Sequence, residues 1–100
     1  MSNDYPREKY QAAISELTGL GTIHKRLKNA YGCFHPVRED HFSDEQLKGR
    51  HNAIIDALTA HETKDVEIGH VNNTLAKISE DEALDIATMI VELHYDLMRR

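Results

Sequence analysis

The sequence predicts an all-α protein, a compact bundle of four to five helices whose C-terminal helix is either central or lies along an oligomer seam. Three observations carry that expectation. Apolar residues recur at three- and four-residue spacing along most of the chain, two segments open with Ser-x-x-Gln or Ser-x-x-Glu, and no stretch alternates apolar with polar residues long enough to make a strand.

The first helix is expected to begin at Asp4 or Tyr5, with Pro6 in its first turn and Met1 to Asp4 frayed. From there Tyr10, Leu17, His24 and Tyr31 repeat in one register and Ala13, Leu20 and Leu27 in another, which predicts one long helix over 6–31. Gly19 and Gly21 argue for a break near Gly19, since each costs about 1 kcal/mol inside a helix. Both readings are carried forward. Gly32 reads as the C-terminal cap, and the run from Cys33 to His41 as irregular chain. Ser43 and Gln46 form a capping box, with Phe42 stapled on Leu47, for a helix from Asp44 to about Ala60 that buries Leu47, His51, Ile54, Ile55 and Leu58. Ile68, Val71, Leu75 and Ile78 predict a helix over 65–78, weakened by Gly69, Asn72 and Asn73.

The last helix, Ser79 to Arg99, is the most apolar. Ser79 and Glu82 make its capping box; Asp85, Thr88, Glu92, Asp96 and Arg99 share one polar stripe. Ala83, Leu84, Ile86, Ala87, Ile90, Val91, Leu93, Leu97 and Met98 form an unusually wide apolar face, with Met89 and Tyr95 at its margins and His94 within it.

One domain over 1–100 is expected, with a core small enough to benefit from a second subunit. The 40% hydrophobic and 29% charged composition belongs to folded, soluble chains. No apolar run approaches about 18 residues and no secretory leader is visible, so a cytoplasmic location with no membrane partner is expected. The single cysteine fits a reducing compartment. Formal net charge is -5 and uneven: residues 1–31 hold five Lys and Arg against three Asp and Glu, the remainder seven against fourteen. That acidic body argues against nucleic acid and for a basic protein surface as partner.

Several residues could carry chemistry. His24, His51 and His94 face apolar sides of three helices and, brought together, could hold a divalent metal; apart, each is satisfied by one hydrogen bond. Glu67 and His70 have the spacing of one half of a di-iron carboxylate site, without the second half. Glu62/Asp65 and Glu82/Asp85 could hold magnesium for a nucleotide hydrolase, although first-turn carboxylates ordinarily complement the helix dipole. Lys25, Arg26 and Lys28, with Tyr31 and His35, are the candidate phosphate or nucleotide ligands. Cys33 beside His35 could be a nucleophile, but no motif supplies an oxyanion hole. Phe34, His35, Arg38 and His41 form a candidate partner-binding loop.

These residues contain no Gly-rich phosphate loop, G-x-S-x-G, H-E-x-x-H or C-x-x-C motif. The expectation is a small acidic, non-enzymatic helical protein, regulatory, accessory or inhibitory, that acts on a protein partner as a homo-oligomer; such chains occur among bacterial and phage regulators. A ligand-binding helical protein (metal through the histidines, nucleotide through the basic cluster) is the alternative, and a magnesium-dependent nucleotide hydrolase a second one.

Overall fold

The N-terminal seven-residue pattern serves two helices, not one. In the computed structural model, which describes residues 3–99, α1 (Asp4–Leu17) ends before Gly19 and α2 (Ile23–Phe34) begins after Gly21. Thr18 and Gly19 donate back to Ser15 and Glu16 to close α1, while Gly21 takes a φ of 105°, a left-handed conformation that a side chain would strain. Thr22 then caps α2 by accepting from the Lys25 amide at 3.1 Å. The continuous reading over 6–31 is thus corrected. The pattern persisted because each helix keeps a buried face toward the other, and Leu20, which shares its register, is 96% exposed in the link.

Two further boundaries move for local reasons. Gly32 lies inside α2, which runs on until His35 and Pro36 stop it. At the next start, Asp44 rather than Ser43 caps α3 (Glu45–Leu58), its carboxylate accepting from Gln46 at 2.7 Å and Leu47 at 3.2 Å. Ser43 is engaged elsewhere: its amide and hydroxyl both donate to Asn3 Oδ1, at 2.9 and 3.1 Å. Asn3 is consequently buried and fixed, contrary to the expected fraying at that position; Met1 and Ser2 lie outside the described residues.

The third pattern yields only α4 (Gly69–Lys77). Upstream, Asp65 accepts from the Glu67 and Ile68 amides, holding a turn, and Gly69 enters the helix at a φ of 77°. The expected Ser79–Glu82 box stands: Glu82 Oε1 accepts from the Ser79 amide and Ser79 Oγ from the Glu82 amide, each at 3.1 Å, and those bonds hold the Glu82 carboxyl below its ordinary range. α5 (Glu80–Arg99) follows. A short 3-10 turn over Glu39–His41 joins α2 to α3, and no strand occurs among the described residues.

α5 packs on α1, α2 and α3, which makes it the central helix. Arg7 Nε donates to the Leu97 carbonyl at 3.0 Å, tying the start of α1 to the end of α5, so the two run antiparallel. His24 Nε2 donates to the Ile78 carbonyl at 2.9 Å and pins α2 to the α4–α5 junction. The core gathers Tyr10 and Ala13, Leu27 and Phe34, Leu47, Ile54 and Leu58, and Ile90, Leu93 and Leu97, all without solvent exposure. α4 contributes little to it beyond Leu75 and Thr74, whose hydroxyl accepts from the His61 amide at 2.9 Å.

One polar cluster sits inside this core. Tyr10 and Phe34 stack with centroids 4.8 Å apart, and the Tyr10 hydroxyl donates to His51 Nδ1 at 2.6 Å. Burial drives the phenol pKa far up and the imidazole pKa down, the latter partly offset by a backbone hydrogen bond at Val37. His51 is therefore held neutral, accepting at Nδ1. Below about pH 6.5 the unfolded chain protonates His51 while the folded chain resists it, so the unfolded state binds more protons and stability rises with pH across that window. Urea unfolding at pH 7.5 and 5.5 should show a lower midpoint at acid pH. His51→Gln, which can still accept from Tyr10, should reduce that difference; an equal acid loss in both proteins would contradict the assignment.

Candidate functional site

α5 buries a narrower face than its sequence suggests. Ala83, Ile86, Ile90, Leu93 and Leu97 face the core, whereas Leu84, Tyr95 and Met98 are 45%, 65% and 52% exposed. Ala87, Val91 and His94 are half-buried. About 100° around the helix from the core face, Leu84, Ala87, Val91, His94 and Met98 follow one another at spacings of three, four, three and four residues. That is the spacing of a two-stranded helix contact; within the chain its two ends are exposed, while Ala87 and Val91 pack on the flank of the core. Tyr95 widens the strip.

His94 does not stabilise the strip as it stands. Its Nδ1 is shielded from solvent and has no hydrogen-bond partner. An unsatisfied buried polar atom costs about 1–3 kcal/mol, so His94→Leu should raise the melting temperature of the protein. A fall in melting temperature that a chelator also produces in the wild type would instead mark His94 as a metal ligand.

The three histidines are not brought together. His24 is taken by Ile78 and His51 by Tyr10, while His94 is half-buried with its Nδ1 unpartnered. Among the described residues no three His, Cys, Asp or Glu side chains are grouped to hold a metal ion. The Glu67/His70 pair is likewise dissolved, because Glu67 sits in the turn before α4 while His70 Nδ1 accepts from the Thr63 amide at 3.0 Å.

The basic cluster divides. Arg26 Nη1 donates to the Leu17 carbonyl at 2.9 Å and closes the C-terminal end of α1, which removes it from the candidate ligands. Lys25 lies over Gly21 at the start of α2: a Cβ built on Gly21 would come within 3.3 Å of its Cδ. Lys28, Tyr31 and His35 do come together, along one wall of a cleft of about 390 Å³ between α2 and α4. The opposite wall carries His70 and Asn72, which the phosphate reading of the sequence left out; only His70 had been marked, for a metal. Their proximity depends on the chain before α4, where the expected helix over 65–78 gives way to a turn until Gly69.

The candidate partner loop is also reduced. Phe34 is fully buried against Tyr10, so it is a core residue and no part of a docking surface. His41 accepts at Nδ1 from the Arg38 amide at 2.9 Å and packs its ring on Tyr5 at 4.7 Å; Arg38 pairs with Asp40 at 3.3 Å. His35 alone of the four keeps its exposed ring beside the cleft.

Cys33 is half-buried, and its thiol donates to the Asn29 carbonyl at 3.7 Å. Burial and then Glu16 push its pKa up, with Lys9 opposing, so the thiolate that a nucleophile requires is disfavoured. A larger cleft of about 560 Å³ between α3 and α5 has both of its cations held by Asp96, which pairs with Arg50 and Arg99, and is otherwise lined by Gln46, Glu92 and Tyr95. No known protein family, curated protein or solved structure matches the chain.

Proposed function

We propose that this is a small, non-enzymatic helical binding protein that works as a homodimer, joined through the outer strip of α5, and offers its acidic surface to a macromolecular partner. The observation that carries the reading is the heptad-spaced strip from Leu84 to Met98, exposed at Leu84 and Met98 and half-buried along the flank of the core at Ala87, Val91 and His94. A second copy is the occupant that fits best. The strip is bounded by Glu80 and Asp81 at the start of α5 and by Arg99 in its last turn. Antiparallel self-pairing sets the acidic end of one copy against the basic end of the other and opposes the helix dipoles. In a two-fold contact the middle of the strip meets itself, and that middle is Val91.

Dimerisation leaves exposed the polar face with Asp85 and Glu92, together with His35 at the end of α2. The net charge of -5 suits a basic partner surface. Sedimentation velocity of the untagged protein at micromolar concentration tests the reading. A species of twice the 11.4 kDa chain mass is expected, and a lone monomer up to millimolar concentration would overturn it.

A further inference from the structure

The cleft between α2 and α4 has a chemistry that dimerisation through α5 does not use. In a chain with 17 acidic residues, no Asp or Glu lines this cleft among the described residues. Its polar groups are instead arranged mainly as donors. Lys28 contributes an exposed ammonium with no ion pair among the described residues. His70, by accepting from the Thr63 amide at Nδ1, must carry its proton on Nε2 and present it as a donor. His35 adds a second imidazole, its ring 5.6 Å from that of Tyr31.

The remaining surface is apolar. Tyr31, Ile68 and Val71 supply it, and Gly32 and Gly69 leave room beside it, since a Cβ at either would meet nothing within 4 Å. Asn72 spends one of its two amide N–H groups on the Ile68 carbonyl at 2.9 Å, and its Oδ1 is left as an acceptor. The cleft therefore combines a cationic donor group for an anion, an aromatic and aliphatic wall for a planar ring, and one acceptor for a ring N–H. Its volume of about 390 Å³ falls within the range of small-molecule sites.

The geometry points to a binding site for a nucleoside monophosphate, with the phosphate held by Lys28 and His70, the base on the Tyr31 ring and its amino or imino group toward Asn72. Lys is a point-charge phosphate ligand, and charge-assisted bonds of this kind are about twice as strong as neutral ones. Aromatic stacking tolerates any base, so the choice among bases rests on Asn72 alone.

Two substitutions test the site without disturbing the fold. Lys28→Ala removes an exposed side chain, and Gly32→Phe fills the cleft at a helical position where phenylalanine is a better helix former than glycine. The full chain, labelled with nitrogen-15, is titrated with adenosine, guanosine, cytidine and uridine monophosphates, and separately with inorganic phosphate and adenosine. The expected result is saturable shifts at Tyr31, His35, His70 and Asn72 with at least one monophosphate. Lys28→Ala should weaken that binding by about tenfold, and Gly32→Phe should abolish it while retaining the wild-type melting temperature. The assignment is overturned if no monophosphate binds at millimolar concentration, if either variant binds as the wild type does, or if inorganic phosphate binds as tightly as the nucleotide.

Discussion

Val91→Glu should convert the dimer to monomer while leaving the helices intact. In the proposed antiparallel dimer the two copies of Val91 lie closest to the two-fold axis, so the substitution sets two carboxylates against each other in an otherwise apolar contact. Like charges juxtaposed across an interface cost several kcal/mol, and about 1.4 kcal/mol is a factor of ten, so the dissociation constant should rise about a hundredfold or more. Val91 is half-buried against the core, so the substitution also costs the monomer some packing. Met98→Glu separates the two effects, because Met98 is 52% exposed and contributes little to the core. Both variants should sediment as monomers with unchanged far-ultraviolet circular dichroism. A dimer persisting in both would place the contact elsewhere.

Phe34→Ala should cost about 3–5 kcal/mol, the usual penalty for deleting a fully buried aromatic ring. The ring stacks on Tyr10, meets Tyr31 edge-on at 5.7 Å and lies 6.3 Å from His51, so its loss opens a cavity against the one polar cluster in the core. Water admitted there competes for the Tyr10–His51 hydrogen bond. Domains of this size are typically stable by about 5–15 kcal/mol, so the variant should be near unfolding at room temperature. Chemical denaturation measures it. A loss below about 1 kcal/mol would mean that Phe34 lies at the surface, as its place in an apparently irregular sequence suggested.

That misreading shows where the sequence stopped being informative. Periodicity made the helices legible, but it cannot separate one long helix from a hairpin of two whose buried faces stay in register, as Tyr10, Leu17 and Leu27 do across Gly19 and Gly21. Capping chemistry located the Ser79–Glu82 box correctly, because both partners are local. At the start of α3 two capping residues adjoin, and the choice of Asp44 over Ser43 was settled by Asn3, 40 residues away. No local rule reaches that far.

The candidate surface was half legible. A wide apolar face on the last helix was evident, but which of its residues enter the core depends on how α1 and α3 approach it. The resulting division leaves Leu84 and Met98 outside and Ile86 and Leu97 inside. The cleft was legible only on its α2 wall, where Lys28, Tyr31 and His35 are close in sequence. His70 and Asn72 reach it through the Asp65 turn and the positive φ of Gly69.

Cross-linking of single-cysteine variants tests the α5 dimer most directly. In a Cys33→Ser background, Val91→Cys should give a covalent dimer with a short bis-maleimide, and Leu84→Cys should do so when mixed with Met98→Cys but not alone. Asp85→Cys, on the polar face, should give no covalent dimer. That pattern is the one an antiparallel contact centred on Val91 produces. Efficient coupling of Leu84→Cys to itself, or of Asp85→Cys ahead of Val91→Cys, would contradict it.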